Sequence, residues 1–71
     1  MRITETKMSE RFFNRKVSYA IDLHNEGYSW EYITEDLAME ISYERPMTES
    51  QAEKYAKDIV RTAAWIVERE Y

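Results

Sequence analysis

Chemistry that needs a nucleophile, a base or a metal finds few candidates in this chain. It has one histidine, His24, and no cysteine, so thiolate catalysis, disulfides and an ordinary zinc site are outside its means. His24 shares its helical spacing with Phe13, Val17, Ala20 and Ile21, which marks a core or boundary position rather than a free base. Asp22 is two residues away and projects from a different part of such a helix, so it cannot orient the imidazole. Ser9, Ser29, Ser42 and Ser50 fall at expected caps or helix ends, with no base spaced to activate them. Glu35 and Asp36 are neighbours on a solvated face, and no glycine-rich loop is present to cradle a phosphate. The expectation is a non-enzymatic protein that uses no cofactor.

What the chain has instead is charge asymmetry and surplus aromatic surface. The net charge is −4, unevenly spread. Residues 1–16 carry Arg2, Lys7, Arg11, Arg15 and Lys16 against two acids, whereas residues 22–53 carry nine acids and only Arg45. Such asymmetry in a short chain points to a partner-facing pole. Aromatic residues make up 14% of the sequence, including six tyrosines and two tryptophans, more than a small core can hide. Some must lie at the surface, where Tyr and Trp serve as contact residues. There is no apolar run of the roughly eighteen residues that a membrane helix needs, and no signal-like stretch at the N-terminus. No membrane partner is expected, and the expected location is the cytoplasm.

Seventy-one residues make one domain, near the lower size limit for a core without staples. Glycine and proline occur once each, at Gly27 and Pro46, too rarely for a turn-rich β architecture. The spacing predicts an all-α three-helix bundle over residues 9–71, preceded by a flexible basic arm at 1–8. Helix 1 should run from Ser9 to a C′ glycine at Gly27, with Phe13, Val17, Ala20, Ile21 and His24 as its buried stripe. Ser29 should cap helix 2, with Tyr28 packing on Ile33 as a hydrophobic staple. That helix should bury Trp30, Ile33, Leu37 and Ile41 and stop before Pro46. "TESQ" at Thr48–Gln51 is a capping-box pattern that opens a long C-terminal helix. Ala52, Tyr55, Ala56, Ile59, Ala63, Ile66 and Val67 should face inward from it.

Apolar residues remain once that core is assigned. Phe12, Tyr19 and Leu23 stand to one side of the first stripe, beside Arg15 and Lys16, where a helix covered on a wide arc would bury them. Tyr32, Met39 and Tyr43 lie nearly opposite the buried residues of helix 2, among Glu31, Glu35, Asp36 and Glu40. Two neighbouring helices cannot easily cover both sides of so acidic a helix, and Tyr32, Met39 and Tyr43 suit a self-association or partner surface. In the last helix Trp65 points away from the core, into a row with Lys54, Lys57, Arg61 and Arg69. It could be covered by the basic arm, pack in a homodimer, or anchor a partner.

"NEGYSWEYITEDLAMEI" followed by "MTESQAEKYAKDIV" resembles the helix-turn-helix domains of recombinases and sigma-type factors. The pieces that carry the likeness are the Gly27-Tyr28-Ser29 turn, the spacing of "ITEDL", and the capped helix from Thr48. It implies a helix-turn-helix-like arrangement with helix 3 in the major groove. Glu49, Ser50, Gln51, Glu53 and Lys54 would then face base edges, with Gln51, Lys54, Lys57 and Arg61 as the nucleic-acid contacts. The charges depart from that pattern. Glu49 and Glu53 repel phosphates, helix 2 carries four acids and no base, and the "SYERPM" connection is longer than the usual turn. In size and charge the chain is similar to small phage and mobile-element inhibitors, anti-CRISPR proteins among them. That similarity implies binding to nucleic-acid-handling machinery through Glu31, Tyr32, Glu35, Asp36, Met39, Glu40, Tyr43 and Trp65. Three functions are therefore weighed: a protein-binding inhibitor or adaptor that forms homodimers, a DNA-binding regulator, and a structural assembly subunit.

Overall fold

Each helix begins where a hydroxyl can satisfy its first free amides. Ser9 Oγ accepts from the Phe12 amide at 3.1 Å, and Ser29 Oγ accepts from the Tyr32 amide at the same distance. Thr48 Oγ1 accepts from Gln51 N–H at 3.1 Å. The resulting elements are α1 (Glu10–Asn25), α2 (Trp30–Glu44) and α3 (Glu49–Glu70). This computed structural model describes residues 9–70, and the basic arm expected at 1–8 lies outside them.

The end of α1 is a Schellman motif. Gly27 takes φ +107°, its amide donates to His24 C=O at 3.0 Å, and the Tyr28 amide donates to Leu23 C=O at 3.2 Å. Only glycine reaches that backbone region without strain, so the single glycine of the chain sits where the turn requires it. The end of α2 is set by Pro46, but later than the sequence suggests. Proline restricts the residue before it, and Arg45 is extended (φ −132°, ψ 139°). Helix α2 therefore runs on through Ser42 and Tyr43 to Glu44. The connection is the four-residue Arg45–Thr48, not the longer "SYERPM" stretch.

The three helices form an up-down-up bundle in which α3 packs on both others, most extensively on α2. Ile33, Leu37 and Ile41 of α2 and Ile59 of α3 are fully buried at its centre. Ala52, Ala56 and Ala63 are buried on α3 and Ala20 on α1, and their small side chains let the backbones approach. The burial on α1 differs from its expected stripe. Phe12, Lys16, Val17 and Ala20 are buried, while Phe13, Ile21 and His24 are only half-buried. Packing against both neighbours widens the covered arc of α1 and turns its centre toward Phe12, so Tyr19 and Leu23 also pack on the core. On α3, Val60 joins the core, and Tyr55, Ile66 and Val67 sit at its edge.

Helix α3 has 22 residues against 16 and 15 for its partners. It is longer by nearly two turns, which helps give the molecule its elongated 44 × 20 × 14 Å outline.

Candidate protein-interaction surface

Among the described residues, five large apolar side chains stay exposed: Tyr28, Tyr32, Met39, Tyr43 and Trp65. Four of them lie on the outward side of α2 or just before it. A helix turns about 100° per residue, so Tyr32, Met39 and Tyr43 fall on one face, opposite Ile33, Leu37 and Ile41. Tyr28 is the residue expected to staple onto Ile33. Ile33 is fully buried, and the Tyr28 ring stacks on Tyr32, with centroids 4.8 Å apart and planes 18° from parallel. That stack stiffens the N-terminal end of the exposed stripe. Tyr43, 85% exposed, stands at the other end.

The four acids of α2 divide into two pairs. Glu31 and Glu35 are exposed on the outward face. Asp36 and Glu40 are half-buried and bind α1: Tyr19 Oη donates to Asp36 Oδ2 at 2.8 Å, and Lys16 Nζ donates to Glu40 Oε1 at 2.7 Å. Lys16 also pairs with Glu44 Oε1 at 3.2 Å. The Lys16 ammonium lies 5.3 Å from the Phe12 ring centroid and 5.9 Å from that of Tyr19. On the same Phe12 ring sits the Arg45 guanidinium, at 4.5 Å. Two carboxylates and two aromatic faces explain how a lysine can be buried at this helix contact. The sequence held the signal in the i, i+4 ladder Asp36-Glu40-Glu44, which runs beside the apolar stripe of α2 and meets Lys16 and Tyr19 on α1.

These contacts favour the protonated forms of both α1 groups. The Tyr19 phenol is raised well above its ordinary value, first by the hydrogen bond to Asp36, then by burial and the nearby carboxylate charges. For Lys16, burial alone would lower the pKa. Hydrogen bonds to Glu40 and Glu44 and their charges outweigh it, and the net direction is up. Folded values above the unfolded ones mean that this stabilisation is complete below about pH 10 and is lost as pH rises through the folded values. We expect the urea midpoint to fall on the alkaline side above about pH 10. In Tyr19→Phe the midpoint should be lower at neutral pH and its alkaline decline shallower. Unchanged steepness in that variant would remove Tyr19 as a cause.

Between the outward face of α2 and the start of α3 lies an open groove of about 220 Å³, lined by Glu35, Ala38, Met39, Ser42, Glu49 and Glu53. Ser42 Oγ is turned to its own helix, donating to Met39 C=O at 2.9 Å. The groove thus has an apolar floor and a rim of three carboxylates. It gathers Glu35 and Met39 of the expected site with Glu49 and Glu53, which sequence reasoning noted only as obstacles to DNA.

The remaining expected residues lie elsewhere. Trp65 is on α3, 58% exposed, with the Arg69 guanidinium 4.7 Å from its ring centroid. Lys54, Lys57 and Arg61 are exposed on that helix and Gln51 is half-buried. Trp65 and the tyrosine stripe of α2 therefore sit on different helices. His24 stacks flat on Trp30 with centroids 4.2 Å apart, and its buried Nδ1 has no hydrogen-bond partner among the described residues. Among those residues, no group of three His, Asp or Glu side chains is placed to hold a metal ion. Nor is any described helix long and apolar enough to cross a membrane.

Protein-family models, curated proteins and solved structures all returned no match to this chain.

Proposed function

We propose that the protein is a non-enzymatic binding module, an inhibitor or adaptor that docks its outward α2 face on a basic surface of a nucleic-acid-handling protein. The observation that carries this is the exposed Tyr28-Tyr32-Met39-Tyr43 stripe running beside Glu31, Glu35 and the carboxylate-rimmed groove. Apolar side chains without a cover supply buried area on binding, and flanking carboxylates steer a cationic partner and fix its register. Asp36 and Glu40 contribute to the field of that face while holding α1 in place.

A second function is favoured by one observation on the other side of the molecule. Trp65, stacked under Arg69 and on the same helix as exposed Lys54, Lys57 and Arg61, has the chemistry to meet a nucleic-acid strand. Against it stand Glu49 and Glu53 at the start of α3, the end that would approach base edges in a helix-turn-helix complex.

Amide NMR with two probes separates the two. A lysine- and leucine-rich amphipathic peptide should shift the amides of Tyr32, Glu35, Met39 and Tyr43. The double variant Glu35→Lys/Tyr43→Ala should weaken that binding by roughly tenfold or more, the loss typical of removing an interface anchor. A DNA duplex at low salt should leave the spectrum unchanged. Shifts on DNA addition centred on Lys54, Lys57 and Arg61, with no response to the peptide, would replace the first function by the second.

A further inference from the structure

Glu49, Glu53, Lys57, Arg61, Trp65 and Arg69 occupy successive i, i+4 positions of α3, and all six are exposed. They form one continuous ridge along the helix surface. Its charges are ordered rather than mixed, with two acids first, then two bases, then the Trp65–Arg69 stack. We propose that this ridge is a self-complementary interface, and that its occupant is a second copy of the same chain lying antiparallel to the first.

Charge order selects that occupant. A two-fold interface brings residue i of one copy against j of the other and j against i, so the surface must complement its own reverse. With the axis between positions 53 and 57, Glu53 meets Lys57 of the second copy and Glu49 meets Arg61, each pair occurring twice. A parallel arrangement would set like charges together. Ridges of i, i+4 residues interdigitate in the commonest class of helix packing, at a crossing angle of about −50°.

The surroundings fit the same pairing. The acidic end of the ridge is also a wall of the groove, where Glu35 adds a third carboxylate and Ala38 and Met39 an apolar floor. The long stems of Lys57 and Arg61 from the second copy can lie along that floor with their charged heads at the rim. Successive i, i+4 positions drift about 40° around the helix, so Trp65 falls at the margin of this contact rather than inside it. Asp58 is half-buried beside the ridge, and Glu68 is exposed near its basic end. Glu68 lowers the charge there by one without changing its sign. Tyr28, Tyr32 and Tyr43 stay outside this contact, whereas Glu35, Met39 and the groove are shared with the function proposed for the α2 face, so a second copy and a basic partner compete there.

Light scattering on charge-reversed chains provides the test. Wild type should show twice the 8.6 kDa chain mass and dissociate more readily as salt rises. Lys57→Glu/Arg61→Glu makes the four paired positions all acidic and Glu49→Lys/Glu53→Lys makes them all basic. Each should be folded by circular dichroism and monomeric alone, and an equimolar mixture should form a heterodimer. A wild type of single-chain mass at millimolar concentration overturns the proposal, as do reversed variants that remain dimers. A mixture of folded variants that stays monomeric overturns it too.

Discussion

Leu37→Ala is expected to leave the protein substantially unfolded at room temperature. Leu37 is fully buried at the middle of α2, in the core cluster shared by all three helices. Removing a buried leucine to alanine costs about 2–5 kcal/mol, because the lost transfer energy adds to an incompletely collapsed cavity. A single small domain has only about 0.05–0.15 kcal/mol of stability per residue, which over a chain of this length comes to the same order as the loss. The neighbours cannot easily fill the gap. Ala52 and Ala56 of α3, buried in the same core, are held on a rigid helix and have no side-chain length to extend. Ile33→Val, which removes one methylene at another fully buried site, should cost about 1 kcal/mol and keep a cooperative transition. Urea denaturation followed by far-ultraviolet circular dichroism measures both. A Leu37→Ala loss no larger than that of Ile33→Val would mean that the centre of the bundle is loosely packed.

Lys16 should give opposite results with two substitutions. In Lys16→Glu a carboxylate is placed beside Glu40 and Glu44 at a site only 7% exposed, and no cation replaces the lost one. Breaking a buried charge pair in this way costs about 3–5 kcal/mol, and the added repulsion works in the same direction. Lys16→Met keeps the unbranched stem over Phe12 and removes the charge. Glu40 and Glu44 are 36% and 47% exposed as side chains, so both can be hydrated once the ammonium is gone. That substitution should cost less than about 1.5 kcal/mol. Urea midpoints and amide exchange along α1 would read the difference, since α1 is the helix that Lys16 holds to α2. Equal losses from the two variants would show that loss of the ammonium sets the cost, and that neither the retained stem nor the added repulsion changes it.

The elements of the fold were legible because each carries its own local punctuation. Ser9, Ser29 and Thr48 at the starts, Gly27 after α1 and Pro46 after α2 act within a few residues, so sequence order alone reveals them. The buried face of α2 was legible for a related reason, since Ile33, Leu37 and Ile41 have only one period to follow. What could not be read was how far the neighbours wrap around α1. Phe12 and Phe13 are adjacent and equally apolar, and only the placement of α2 and α3 decides that Phe12 goes in. The same holds for the acids of α2. The Asp36-Glu40-Glu44 spacing sets those acids beside the buried stripe, but only the placement of α1 brings Tyr19 and Lys16 to them while Glu31 and Glu35 face water. The exposed tyrosines and Met39 were legible as a second face, but their confluence with Glu49 and Glu53 in one groove depends on the antiparallel return of α3.

The Schellman turn at Gly27 and the four-residue connection at Arg45–Thr48 have a kinetic consequence. Each joins helices that pack directly on one another, and no disulfide has to form. Contacts made between neighbours in sequence cost little chain entropy to close, and bundles of this kind fold in microseconds to milliseconds. A chain opened by a passing unfolding event would therefore close again quickly, leaving Ile33, Leu37, Ile41 and Ile59 little time to collect unwanted company.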